Sequence, residues 1–264
     1  MSTHGYRSRV IARGLLCWET SKTTSTPSET RNLSSEALAM KVWIRWSVLS
    51  LLILVIGGPI FAWAQLDEIV LPAPVIDGQI SLEAAIASRR SMKEFAPTPL
   101  TREQIGQLAW AAQGITEPEK GFRSAPSAGA MYPIQLYLVT AEGAYRYVPA
   151  GHKLERLPVA DALVAFRAAT ANQPSIQVAP VTFIITASFG PMRDRFGERA
   201  DPFVYMEAGH IGQNLQLQAT ALGLGSLPIG GFDPARVSEA LSLPAEHTVI
   251  YLMTIGHPVA SEPE

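Results

Sequence analysis

The chain has 264 residues, of which 47% are hydrophobic and 17% charged. That is enough apolar material for one large core, and it excludes an intrinsically disordered chain. The net charge of -2 gives no basic footprint for nucleic acid.

The amino-terminal 39 residues read differently from the rest, because Thr20 to Ser35 is rich in Ser and Thr and lacks apolar periodicity. Residues 1–39 are therefore expected to be a non-native or disordered extension, with translation starting at Met40. Residues 40–64 come next as a signal peptide or membrane anchor. Lys41 and Arg45 form a basic start, Trp46 to Phe61 is an apolar run, and Ala62-Trp63-Ala64 supplies small residues two apart. The run is long enough to approach a bilayer span, so residues 46–64, if uncleaved, would tether the chain to the inner membrane. The positive charges before the run place the chain from Gln65 onward on the outer, periplasmic side. Residues 1–64 carry 7 of the 21 Lys and Arg and 3 of the 23 Asp and Glu, so the exported part has net charge -6. The only cysteine, Cys17, falls in the removed part, leaving a thiol-free domain suited to an oxidising compartment.

Residues 65–80 contain Pro72 and Pro74 and read as an extended lead-in to a domain over 81–260. Ser81 is an N-cap for a short helix with Leu82, Ala85, Ile86 and Arg89 at helical spacing. Thr101 and Gln104 have the spacing of a capping box, and Ile105, Leu108, Ala109 and Ala112 make an apolar stripe stopped at Gly114. Glu117 to Pro133 is a loop rich in Gly, Ser and Pro. Ile134 to Thr140 is a strand, Glu142-Gly143 a turn, and Ala144 to Val148 the returning strand. A helix is expected over 159–171 and a buried strand over 180–187. The longest helix is expected over 202–222, ended by Gly223. Gly225 to Phe232 reads as a glycine-rich loop, Pro234 opens a short helix to Leu241, and Thr248 to Ile255 is a final strand. Helices and strands mix without regular βαβ alternation, which predicts an α+β fold.

Three stretches have the composition of a binding site. Arg89-Arg90-Ser91-Met92-Lys93 gathers guanidinium, hydroxyl and ammonium donors at a helix end, where they suit a phosphate or merely complement the helix dipole. Ser124 to Pro133 combines small residues with two prolines, and Gly223 to Phe232 combines glycines with apolar residues. Both compositions let a backbone approach a flat ligand closely. No Walker motif, nucleophile elbow or dinucleotide fingerprint is present. Glu207 and His210 form one E-x-x-H pair, too few ligands for a di-iron site. No metal is expected, and His210 is read as an interior residue hydrogen-bonded to Glu207.

In this order and spacing, four segments resemble the nitroreductase family of flavoenzymes, and its SagB-type dehydrogenase branch in particular. They are Arg89-Arg90-Ser91-x-Lys93-x-Phe95, Ala125 to Pro133, Glu207 to Leu215, and Ala221 to Phe232. The resemblance implies an α+β sandwich with a mixed central sheet and flanking helices. It implies a homodimer with FMN at the interface and NAD(P)H as electron donor. Arg89, Arg90, Ser91 and Lys93 would hold the FMN phosphate and ribityl chain. Pro126, Ser127 and Ala128 would pack on the flavin, often from the partner subunit. Pro228, Ile229, Gly230 and Gly231 would lie along the ring, with a backbone N–H of Gly230 or Gly231 facing N5. The implied reaction passes hydride from NAD(P)H through flavin N5 to a small-molecule acceptor (a nitro compound, quinone or relative) by a ping-pong mechanism. The azoline oxidases of the SagB-type branch use a Lys-Tyr pair, which the similar stretch Arg193 to Arg199 lacks. Oxidation of a peptide azoline or small heterocycle is thus a second reading, and a flavin-binding module without turnover a third.

Overall fold

The structure is a computed structural model that describes residues 68–259. The expected extension, the signal or anchor segment and the lead-in up to residue 67 lie outside the described residues. Among the described residues, no helix is long and apolar enough to cross a membrane.

Seven strands form one sheet: β1 (Glu68–Val70), β4 (Ile134–Thr140), β5 (Gly143–Val148), β6 (Lys153–Arg156), β7 (Val181–Ala187), β8 (Gly225–Ile229) and β9 (Thr248–Gly256). Their spatial order is β1-β6-β5-β4-β7-β9-β8. Strands β2 (Ile115–Glu117) and β3 (Phe122–Arg123) form a separate small ribbon. Every strand pairing in the main sheet is antiparallel. Among the described residues, parallel geometry appears only in an isolated bridge between Ser91 and Ser226, so the sheet is less mixed than the resemblance implied.

Helices cover both faces. On one lie α2 (Arg102–Gln113), α5 (Gly190–Phe196) and α6 (Ala200–Ala221); on the other lie α3 (Ala162–Ala169) and α7 (Pro234–Ala240). Successive strand residues point to opposite faces. Leu136 and Leu138 accordingly join the core beneath α6, while Tyr137 and Val139 join the core beneath α3 and α7. Central strand β7 is buried along its whole length, as expected of a strand covered on both sides.

Local chemistry sets the helix ends. Ser81 caps α1 (Leu82–Ser88) by accepting from the Ala84 N–H. Both bonds of the Thr101–Gln104 capping box form at α2. Helix α6 ends in a Schellman motif: Leu224 N–H donates to the Ala219 carbonyl and Gly223 N–H to that of Thr220. Gly223 takes the left-handed φ of +70° that the motif requires.

Several elements depart from the sequence reading. Gly225–Ile229 is a strand, not a loop. Glycine disfavours strands, but β8 lies at the sheet edge, with β9 as its strand partner and the single bridge from Ser91 on its other side. An edge position also tolerates Pro228, which has no N–H to give. Strand β6 and helix α5 were not legible, because β6 buries a single side chain, Leu154, and α5 buries only Met192. Helix α4 (Pro174–Val178) occupies part of the link between α3 and β7.

Candidate active site

The long helix α6 organises the site, and α2 packs against it in the opposite direction. Gln107 bonds Gln218, Asn214 donates to the Ala111 carbonyl at 2.9 Å, and Gln113 approaches Glu207. The two sequence-predicted segments near positions 90 and 126 attach at different points along this pair.

Arg89 ends α1 and donates to Gln216 Oε1 at 3.1 Å. From there the chain runs beside β8. Ser91 bridges Ser226 in parallel, and Met92 N–H donates to the Ser226 carbonyl at 2.9 Å. A Cβ on Gly225 would lie 2.4 Å from Met92 Sδ, so glycine at 225 is what lets the two stretches touch. Ser91 and Lys93 are exposed, and Lys93 makes no ion pair among the described residues. The Arg90 guanidinium is turned back onto the Ala87 and Arg89 carbonyls, so it completes the helix end rather than reaching outward.

Gly230 lies four residues beyond Ser226, about 13 Å away at roughly 3.3 Å per residue. One mononucleotide can bridge that distance. Neither Gly230 nor Gly231 has a left-handed φ. Their value is the missing side chain: among the described residues, a Cβ at 230 would meet no atom beyond its chain neighbours within 4 Å, leaving the backbone facing open space. The Gln173 amide donates to the Gly231 carbonyl and fixes the turn. Ile229 is buried and Pro228 half-buried, so the strand offers apolar surface next to the open glycines.

Pro126, Ser127 and Ala128 are not brought to these residues within the chain. Ser127 approaches Glu207, nine residues before Gln216 and hence about 13 Å along α6 at 1.5 Å per residue. The segment is held under strain. Ala130 and Tyr132, both non-glycine, have φ of 53° and 49°, a backbone cost on the order of 1–3 kcal/mol each. Tyr132 N–H donates to Ser127 Oγ at 2.8 Å, Arg123 N–H donates to the Tyr132 hydroxyl, and the Arg123 guanidinium lies 4.4 Å from the Tyr132 ring. The same guanidinium donates to Gln113 Oε1.

Glu207 lies under this loop and is 2% exposed. Among the described residues, no hydrogen bond of ordinary geometry reaches either carboxylate oxygen, and Gln113 Nε2 beside it is also unpartnered. Burial pushes the Glu207 carboxyl up to about 6, against the opposing pull of Ser127, Gln113, Arg123 and the Ile134 backbone. The expected Glu207–His210 pairing does not occur. His210 is exposed, because three residues turn a helix to a position about 60° away, enough to pass from the buried face to solvent. Among the described residues, no cluster of three or more His, Cys, Asp or Glu could hold a metal.

The sequence reading missed Gln113, Arg123, Gln173 and Gln216. Gln113, Arg123 and Gln216 each stand alone on α2, β3 and α6, and Gln173 precedes α4, so only the packing of these elements reveals what each braces.

The Nitroreductase family profile matches residues 86–257, which takes in all four segments. The chain belongs to the nitroreductase family. A protein of Methanocaldococcus jannaschii named as a nitroreductase is 33% identical over 199 residues, covering 73% of this chain and 98% of the relative. A nitroreductase-type crystal structure from Ralstonia eutropha superposes with a TM-score of 0.67 at 28% identity, covering 74% of this chain and 90% of that one. The NADPH:FMN oxidoreductase of Vibrio harveyi, solved with NAD+, shares the fold at 20% identity and a TM-score of 0.51, covering 69% and 72%. Membership places this nitroreductase-family chain among oxidoreductases.

Proposed function

We propose that this nitroreductase-family domain binds FMN and is an FMN-dependent oxidoreductase that draws electrons from NAD(P)H. The reading rests on one observation: the cationic stretch at 89–93 is hydrogen-bonded alongside the strand leading to the open backbone at Gly230 and Gly231. The donors fit a ligand with an anionic end and a flat end. Arg89 and Lys93 would meet the phosphate, where each charge-assisted hydrogen bond contributes about 1.5–3 kcal/mol, and Ser91 would hold the adjoining chain. Pro228 and Ile229 would support the ring, and a backbone N–H at Gly230 or Gly231 would orient its reactive edge. FMN held there would supply the hydride chemistry at N5, serving NAD(P)H and then a nitro, quinone or related acceptor in ping-pong order.

Pro126, Ser127 and Ala128, standing about 13 Å along α6 from Gln216, would serve the cofactor of a second copy of the chain. The working unit would then be a homodimer with FMN at its interface. We further propose an extracytoplasmic address for the domain, on the strength of residues 40–64. Fractionation of cells making the protein from Met40, with amino-terminal sequencing of the product, tests that address.

The direct test of function is the spectrum of the purified full chain, with mass analysis of the released ligand. Yellow protein that yields FMN, bleaches with NADH or NADPH and recovers its colour with a quinone is expected. Colourless protein that cannot be reconstituted with FMN would remove the reading. Flavin that NAD(P)H does not reduce would remove the donor.

A further inference from the structure

We propose that the domain has a second binding site, separate from the proposed flavin site, that takes a small amphipathic carboxylate at one end of the sheet. A cavity of about 250 Å³ lies where β4 turns into β5 and where β7 begins. Leu71, Ile105, Leu138, Leu154 and Val181 wall it. Helix α2 closes it on one face of the sheet, while Leu163 and Arg167 of α3 close it on the other. None of residues 89–93, 126–128 or 228–231 lines it.

Protein interiors leave few voids larger than a water molecule. This space would hold about eight waters at roughly 30 Å³ each, yet aliphatic walls give water few partners. A compact apolar body fits it better.

The polar features select the head group. Arg167 lines the cavity. Its Nε is shut off from solvent without a partner, and its Nη2 makes only a long 3.4 Å contact with the Ala179 carbonyl. Arg102 stands exposed among the lining residues and makes no ion pair among the described residues. Among the described residues, Glu142 is the one carboxylate in the lining, beside Thr140 and the neutral phenol of Tyr145, which burial makes a weaker acid. Arg156 sits next to these, donating to the Glu142 carbonyl and to the Tyr145 hydroxyl. Among the described lining residues, the guanidinium groups of Arg102 and Arg167 thus outnumber the one carboxylate around an apolar interior. The guanidinium fork matches a carboxylate geometrically, and an eight-carbon chain matches the space.

The test is calorimetric titration of the full-length protein with octanoate, octan-1-ol and octylamine. Octanoate should bind at one site per chain, at least tenfold more tightly than either of the others. Arg167→Gln should weaken octanoate tenfold or more and leave octanol unchanged, which separates loss of the head-group contact from loss of the fold. Ala141→Trp, at an exposed lining position, should abolish binding of both ligands without altering the flavin spectrum. The proposal is overturned by absent saturation with octanoate, by equal affinity for the three ligands, by a preference for the amine, or by octanoate binding that survives A141W. Because octanoate binding is read without redox turnover, its outcome is independent of whether the other site holds FMN.

Discussion

The Glu207 carboxylate faces the Ser127 hydroxyl from beneath a strained loop, with burial holding the acid up to about 6. A carboxyl whose folded pKa is raised stabilises the fold while protonated, fully so below its unfolded value near 4.5. It loses that contribution as pH rises through about 6. The loss is on the order of 2 kcal/mol, at about 1.4 kcal/mol per unit. Glu207→Gln keeps the shape and removes the ionisation. It should be more stable than the parent by about 1–2 kcal/mol at pH 8 and indistinguishable from it near pH 4. Urea unfolding at the two pH values checks this, and a gap that persists at pH 4 would assign the effect to packing.

Gly230 gives the sharpest separation of function from stability. Among the described residues, no atom beyond its chain neighbours lies within 4 Å of where its Cβ would be. Gly230→Leu should therefore leave stability within about 0.5 kcal/mol of the parent, as for an ordinary surface change, while filling the space assigned to the ring. Urea midpoints and flavin content of the purified variant decide it. Full flavin content would move the ring elsewhere.

Lys93 tests the anionic end. It is exposed and makes no ion pair among the described residues, so Lys93→Ala should not disturb folding. One charge-assisted hydrogen bond of about 1.5–3 kcal/mol predicts FMN binding weaker by roughly ten- to hundredfold. Arg89→Ala combined with it should release the cofactor altogether. Fluorescence titration of the apoprotein with FMN measures both, and riboflavin, lacking the phosphate, should not distinguish parent from variant.

Gly225 and Met92 form a pair to be tested together. A Cβ at 225 would sit 2.4 Å from Met92 Sδ, and overpacking of this kind costs about 1–3 kcal/mol. Gly225→Ala should destabilise the protein and push the 89–93 stretch away from β8, with loss of flavin. Adding Met92→Ala should restore both. A double-mutant cycle with coupling near zero would separate the two residues.

Local rules made much of the fold readable in the sequence. Ser81, the Thr101–Gln104 box, the glycine at 223 and the apolar run of β7 each act within a few residues, and each element formed where its signal stood. What was hidden depends on partners distant in the chain. Gly225 to Ile229 reads as a loop until β9 supplies its hydrogen bonds. Lys153 to Arg156 shows one buried residue and so no pattern of its own. Within the site, the composition of 89–93 and 225–231 was visible, and the fold brings their neighbours Ser91 and Ser226 together. The orientation of Arg90, the exposure of His210 and the isolation of Glu207 were not visible. Each depends on which way a helix turns against a neighbour whose register the sequence does not encode locally.

Helix α6 carries contacts to Ser127 near one end and Arg89 near the other, on a span of continuous backbone hydrogen bonding. A rod of this kind acts as a gauge block: what it holds at each end keeps a fixed separation, whatever loops do around it. Tilting or bending it would shift both attachments in concert, so a substitution near Ile211, midway between them and fully buried, would be felt at both ends without touching either.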